Sequence, residues 1–313
     1  MDFILTIRNK SGNGFGEGIS SARYLIVPDG QEAVYDYKRG RAEWLEAVTA
    51  EAGIVRDADV KVVEKGHVLF FVHGYNTEQR ELLARHRAIK TRLAAAGFPG
   101  TVVSFDWPSN GRTTDYVFDR RDARLSADRL YNDGIALLAK LQEPDCTVNV
   151  HVLAHSMGCF LVREAFDFAD DDHDIAQTSW VVSQMVFAAA DISRKSAARG
   201  NPKVASLLRH CTRLTNYYSR YDEVLSASEV KRIGVSRRLG RVGAPEDVDE
   251  KLVDLDCSDH YEDTYPEGDL RLSHNWYFKD DRFFEDLCQT LVSRRDRKVI
   301  GKRQPISGGL SLV

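Results

Sequence analysis

The chain has 313 residues, 43% hydrophobic and 29% charged, the balance of an ordinary globular protein with room for one large α/β domain or two small ones. A formal net charge of −4 gives no electrostatic footprint for nucleic acid. No apolar run approaches the roughly 18 residues that a spanning helix needs, so stable membrane insertion is not expected. The N-terminal residues 1–8 lack the basic and apolar regions of a secretory signal. The cysteines (Cys146, Cys159, Cys211, Cys257 and Cys288) form no C-x-x-C pair, so reduced thiols and a cytoplasmic location are expected.

Residues 3–8 read as a first strand. The segment from Gly12 to Gly18 lacks the G-x-G-x-x-G spacing of a phosphate loop, because Glu17 stands in the third glycine's place and no helical pattern follows. It reads as a turn into a second strand at residues 22–27. Trp44, Leu45, Val48 and Ala52 mark one face of a short helix. Residues 68–72 are a continuous apolar run, expected where a sheet is covered on both faces. That run empties into His73-Gly74-Tyr75-Asn76-Thr77, followed by a polar helix closed near Gly97 and Gly100. A strand at 101–105 ends in Asp106-Trp107-Pro108-Ser109-Asn110-Gly111. Ala127, Leu130, Tyr131, Leu138 and Leu141 then keep helical spacing until Pro144.

Beyond a strand-turn-helix unit at 147–166, residues 180–190 form an apolar strand that runs out into Asp191. A short helix at 201–210 and a strand at 213–218 follow, the strand leading to Ser219-Arg220-Tyr221-Asp222. The final strand is 252–255, and Phe284, Leu287, Cys288 and Leu291 share one face of a last helix. Strands alternating with helices predict an α/β fold, a mostly parallel central sheet with helices on both faces. The turns at the C-terminal strand ends would converge on one ligand-binding edge. The expected organisation is a single domain over residues 1–297. Its N-terminal strands and helix lie in 1–66, a cover segment in 225–250, and a flexible tail follows at 298–313.

The strand-turn-helix unit carries the chemistry. Val148, Val150 and Val152 recur every second residue, then the run stops at Ala154-His155-Ser156-Met157-Gly158. This small-x-Ser-x-Gly turn has the form of a nucleophile elbow, with alanine as its first small residue. A strained turn lifts the serine hydroxyl clear of the sheet, and small flanking residues admit neighbouring backbone. A serine hydroxyl also needs a base within hydrogen-bond reach and a third group to orient that base. In the chain order serine, acid, histidine, Ser156 is followed by Asp222 and His274, with Asp191 the alternative acid. Asp222 also fits a cap on the helix beginning at Glu223, and Asp191 fits a turn or supporting residue. His260 sits among Asp256, Asp259, Glu262 and Asp263 and is expected to be solvated, which favours His274 as the base.

The backbone N–H groups of Met157 and Tyr75 are the expected oxyanion donors, with Gly74 permitting the turn. Trp107, Tyr75, Asn76 and residues 194–211 are the expected pocket lining. His151 and Asn149 interrupt the apolar pattern of their strand without an evident role. The acidic stretch Asp170-Asp171-Asp172-His173-Asp174 reads as a solvated loop, and no metal site is expected there. Lys231, Arg232, Arg237, Arg238 and Arg241 read as a solvated basic segment, with recognition of an anionic substrate or partner as the alternative.

These pieces resemble the α/β-hydrolase superfamily and, more narrowly, the bacterial esterase/lipase-like hydrolases of DUF900. The resemblance rests on Phe71-Val72-His73-Gly74-Tyr75-Asn76, Phe105-Asp106-Trp107-Pro108-Ser109, the Ser156 turn, Ala188-Ala189-Ala190-Asp191, Tyr218 to Asp222, and Ser273-His274. It implies a serine hydrolase acting on small-molecule carboxyl esters, without metal or organic cofactor. Where that family often has proline before the acid after its sixth strand, this chain has Ala190, and Asn275 stands where the family has serine. A thioesterase, amidase or acyltransferase would use the same groups. A hydrolase-fold binding protein would retain them without turnover.

Overall fold

A computed structural model of the chain describes all residues except 57, 59, 60, 110–115, 136–146, 174–179, 231–235, 294, 302, 307 and 308. The strands are β1 (Asp2–Ser11), β2 (Gly14–Val27), β3 (Lys38–Arg39), β4 (Val55–Arg56), β5 (Val62–Glu64), β6 (Gly66–Val72), β7 (Thr101–Asp106), β8 (Val148–His155), β9 (Val182–Ala188), β10 (Cys211–Tyr218), β11 (Leu252–Asp256), β12 (Arg303–Ile306) and β13 (Gly309–Leu312). Eleven form one sheet in the order β12-β13-β11-β10-β9-β8-β6-β7-β1-β2-β3, and β4 pairs with β5 apart from it. From β13 to β1 every neighbour runs parallel. Antiparallel pairs β12–β13 and β1–β2 finish the two ends. The expected α/β architecture is present.

The helices are α1 (Arg41–Ala50), α2 (Gln79–Ala95), α3 (Tyr116–Arg129), α4 (Met157–Asp171), α5 (Pro202–Arg209), α6 (Glu223–Val230), α7 (Leu239–Val242), α8 (Ser258–Thr264), α9 (Leu270–Asn275) and α10 (Asp281–Val292). Side-chain alternation along the strands sorts them onto two faces. Val68, Phe70 and Val72 of β6 pack with Trp44 of α1, Ala127 of α3, Phe160 of α4 and Leu207 of α5. Leu69 and Phe71 of the same strand pack with Leu82 and Leu83 of α2 and Phe284 of α10. Both faces are covered, so β6 is apolar from Val68 to Val72; full burial of a side chain such as Phe71 contributes about 2 kcal/mol. Leu138, Leu141, Pro144 and Cys146 lie outside the described residues. Among the described residues no helix is long and apolar enough to cross a membrane.

Three segments differ from expectation. The second strand starts at Gly14, because β1 continues to Ser11 and the chain reverses at Gly12 with φ 59°. Gly16 and Gly18 then lie against Asn9, where a Cβ on Gly16 would stand 2.7 Å from Asn9 Oδ1. The tail read as flexible forms the hairpin β12–β13 instead. Leu310 and Leu312 are buried beside β11, and the buried Arg303 guanidinium meets Asp286 Oδ1 at 2.6 Å. Residues 236–248, expected to belong to a cover, are bonded to the strand ends. Leu239 N donates to Ile192 O and Gly240 N to Ala190 O, both at 3.0 Å, and Arg194 Nη2 donates to Ala244 O at 3.0 Å.

Candidate active site

Ser156 follows β8 directly and caps α4, with φ 55° and ψ −123°. A non-glycine residue at positive φ stores strain of order 1–3 kcal/mol, which the surrounding backbone must hold. It does so at close range. Ser156 N donates to Ala188 O at 3.0 Å, and Ser156 O accepts from Asp191 N at 3.1 Å. Gly158 is required because a Cβ there would lie 2.5 Å from Val72 O and 2.6 Å from His73 O. Gly74 is required for the same reason from the other side, since its Cβ would lie 2.8 Å from Ser156 Cβ. The loop after β6 therefore rests directly on the serine.

Asp222 and His274 are brought together. His274 Nδ1–H donates to Asp222 Oδ2 at 2.7 Å, and both residues are buried. That bond sets the tautomer and leaves Nε2 as the basic nitrogen. Asp222 Oδ1 accepts from Leu225 N at 2.9 Å, so one carboxylate caps α6 and orients the histidine at once. His274 sits in the short helix α9, one 3-10 turn before the last long helix. Asp191 is buried too, but its Oδ1 lies 3.2 Å from Arg238 Nε. Geometry thus separates the two acids.

His155 supports the same corner. Its Nε2–H donates to the His274 carbonyl at 2.9 Å, and the two rings are 4.8 Å apart. Burial, and then the nearby His274, hold its pKa well below the usual histidine value, so the ring is neutral.

The loop over Ser156 has its own frame. Trp107 N donates to His73 Nε2 at 3.2 Å, so His73 carries its proton on Nδ1 and donates it to Gly74 O at 2.8 Å. Burial holds this ring neutral, with a pKa of about 3. Carbonyl and N–H point opposite ways in a trans peptide, so the Tyr75 N–H is directed away from His73. The Met157 N–H is the first of α4, among the amides for which a helix has no internal acceptor. Below the loop, Arg8 Nε donates to Asp106 Oδ1 at 2.7 Å, and Arg8 Nη2 donates to Thr77 O at 2.8 Å and Trp107 O at 3.0 Å. Ser109 completes the tie by accepting Asn76 N at 2.8 Å. Sequence reading passed over Arg8. The available signal was a charged residue in the first strand and another, Asp106, at the end of the strand it pairs with.

The other residues singled out in the sequence have varied surroundings. Trp107 is fully buried, with its ring stacked on His73 at 5.3 Å. Asn76 is exposed, with φ 51°. In the segment 194–211, Cys211 is buried and Arg194 is bonded to the Gly243 and Ala244 carbonyls. His260 is not simply solvated, since its Nε2 lies 2.9 Å from Asp280 Oδ2. Asp170 contacts Ser206, Arg209 and His210; Asp174 lies outside the described residues, as do Lys231 and Arg232. Arg238 is 2% exposed, so the basic segment is not a uniformly solvated one. His151 finds a partner in His67, with Nε2 to Nδ1 at 2.9 Å and the rings stacked.

Residues 49–289 match the family model described as alpha/beta hydrolase of unknown function, DUF900. Over 163 residues the chain is 28% identical to the uncharacterised protein alr1448 of Nostoc sp., a match that takes in 44% of this chain and 41% of that protein. Similar solved structures include a cutinase-like protein from Cryptococcus sp., at 14% identity and TM-score 0.34, covering 71% of this chain and 90% of that one. A putative hydrolase from Agrobacterium vitis S4 matches at 13% identity and TM-score 0.37, covering 76% and 97%. Aspergillus fumigatus lipase B matches at 15% identity and TM-score 0.33, covering 69% and 49%.

Proposed function

The chain belongs to this DUF900 family of α/β-hydrolases, and from that premise we propose that it is a serine hydrolase cleaving carboxylic esters through an acyl-enzyme on Ser156. The observation that carries the reading is the Asp222–His274 hydrogen bond of 2.7 Å, with the His274 carbonyl held by His155, the residue before the strained Ser156. Ser156 Oγ attacks the acyl carbon while His274 Nε2 takes its proton, and Asp222 stabilises the imidazolium that forms. The Met157 and Tyr75 N–H groups receive the developing oxyanion. His274 then returns the proton to the leaving alcohol, and water repeats the sequence on the acyl-enzyme to release the acid. Cys159, Cys211, Cys257 and Cys288 are free and buried, which supports a reducing, cytoplasmic setting.

Hydrolysis of short-chain 4-nitrophenyl esters tests the reading, with thioester and amide analogues beside them. Ester turnover that falls to background in Ser156→Ala is expected. Undiminished turnover in that variant, or cleavage of the thioester or amide alone, would overturn it.

A further inference from the structure

Asp222 holds the His274 ring through Nδ1, and the main chain of the same residue is held from elsewhere, by the His155 Nε2–H that donates to its carbonyl at 2.9 Å. His274 lies in α9, a helix of six residues, too short to keep its place without outside contacts. The outside contact comes from a residue bonded to Ser156. His155 ends β8, and the next peptide bond leads into the strained turn. One residue thus connects that turn to the carbonyl of a histidine 119 positions away.

The connecting ring is wedged. Its centroid stands 5.0 Å from that of Phe278 and 6.4 Å from that of Tyr277, edge-on to both. Phe278 is backed in turn by Phe71 at 5.6 Å and by the Arg85 guanidinium at 5.1 Å. The His155 Nδ1 lies 3.3 Å from where a Cβ on Gly74 would stand, so the ring also abuts the loop over Ser156.

Polar accounting shows which feature of the ring matters. A carbonyl can only accept, so Nε2 carries the proton. Nδ1 is then a bare acceptor, buried and without a hydrogen-bond partner among the described residues. An unmatched buried nitrogen opposes folding. Packing alone would be served better by phenylalanine, a planar ring of similar size with no polar atom. What the imidazole adds here is one N–H aimed at the His274 carbonyl.

We propose that His155 is a positioning residue for the base, its Nε2–H fixing the His274 main chain so that the imidazole meets the Ser156 hydroxyl. The proposal rests on the reading of Ser156 as nucleophile and adds a residue that acts only through His274. Asp222 sets the tautomer and plane of the ring; His155 sets where the ring stands.

Three replacements separate the hydrogen bond from the packing. His155→Gln brings an amide N–H near the Nε2 position, His155→Phe keeps a ring without a donor, and the donor of His155→Asn stops near the Nδ1 position. With 4-nitrophenyl butyrate, His155→Phe should lose about 10²-fold in kcat while KM stays within about 3-fold, the effect of moving a reacting group by about 1 Å. His155→Asn should behave alike, and it answers the question where the phenylalanine variant does not fold. His155→Gln should stay within about 10-fold of wild type. Full kcat in His155→Phe or His155→Asn, or a glutamine variant as slow as they are, would overturn the proposal. A second readout needs no turnover, namely the low-field proton NMR resonance of the His274 Nδ1–H, assigned by its loss in Asp222→Asn. It should persist in His155→Gln and shift or broaden in the other two; an unmoved resonance in both contradicts the positioning role. That shift together with undiminished turnover in Ser156→Ala would sink the nucleophile reading alone. Background turnover in Ser156→Ala beside full kcat in His155→Phe would sink the positioning role alone.

Discussion

Asp191 and Asp222 stand just beyond adjacent parallel strands, both are buried, and both face a nitrogen cation or base. They differ in that partner. Asp191 meets Arg238 Nε at 3.2 Å, and a guanidinium stays charged at any pH a protein experiences. This pair fixes backbone, because the Asp191 N–H holds the Ser156 carbonyl while Arg238 opens the segment that crosses the strand ends. Asp222 meets His274 Nδ1 at 2.7 Å, and an imidazole, unlike a guanidinium, has a second ring nitrogen that can accept a proton. With Ser156 as the proposed nucleophile, Asp222 would gain its part in proton transfer from its partner and not from its place in the sheet.

The comparison breaks or holds first on the two amides. Asp222→Asn should lower kcat/KM for an ester by about 10³-fold to 10⁴-fold while the fold stays intact. Asp191→Asn should leave turnover per folded molecule within about 10-fold, but cost roughly 3–5 kcal/mol of stability by removing the carboxylate that faces the buried Arg238. Steady-state kinetics beside urea midpoints separates the two, and exchanged phenotypes would reverse the assignment. A second pair of the Asp191 kind sharpens the point. Arg303 donates through Nε and Nη2 to Asp286 far from the serine, so Arg303→Met should cost roughly 3–5 kcal/mol in urea denaturation and leave kcat unchanged. A kinetic defect without a stability loss would contradict that.

How much of this was legible in the sequence follows from the same distinction. The valine alternation into Ala154-His155-Ser156-Met157-Gly158 is local, and both the strand and the strained turn at Ser156 lie where it places them. Asp222 and Asp191 were both candidates in the sequence, and what separates their surroundings is Arg238, which is 47 positions after Asp191 in a segment that reads as surface charge. The Arg8–Asp106 prop was passed over for the same reason, being a contact across 98 positions. The β12–β13 hairpin was missed because Gly308 and Gly309 suggest slack chain. Leu310 and Leu312 alternate about Ser311, and only their burial beside β11 shows that this short pattern is a strand.

Smaller effects test the ground around the two acids. In Gly74→Ala the new Cβ would meet Ser156 Cβ at 2.8 Å and His155 O at 3.2 Å, neither the end of a flexible side chain. A loss of about 10²-fold to 10³-fold in kcat is expected as the oxyanion loop shifts; full activity would mean that the loop is not part of the site. The smallest effect concerns histidines that have no carboxylate pair as close as His274 has. Burial holds His73 and His151 at about 3 and His86 at about 4, below the ordinary 6.5. The unfolded chain therefore binds protons that the folded one refuses. Their contribution to stability is whole above pH 6.5 and is lost as pH falls toward 4, by about 1 kcal/mol per histidine per pH unit. His151→Leu should narrow the difference in unfolding free energy between pH 7 and pH 5 by about 1–2 kcal/mol, and an unaltered difference would contradict the assignment.

The most direct measurement is the rate of fluorophosphonate labelling, followed by intact mass and peptide mapping, for wild type, Ser156→Ala, Asp222→Asn and Asp191→Asn. The account predicts one adduct on Ser156 in wild type and in Asp191→Asn, none in Ser156→Ala, and labelling slowed by orders of magnitude in Asp222→Asn. An adduct on another residue, or slow labelling confined to Asp191→Asn, would contradict it.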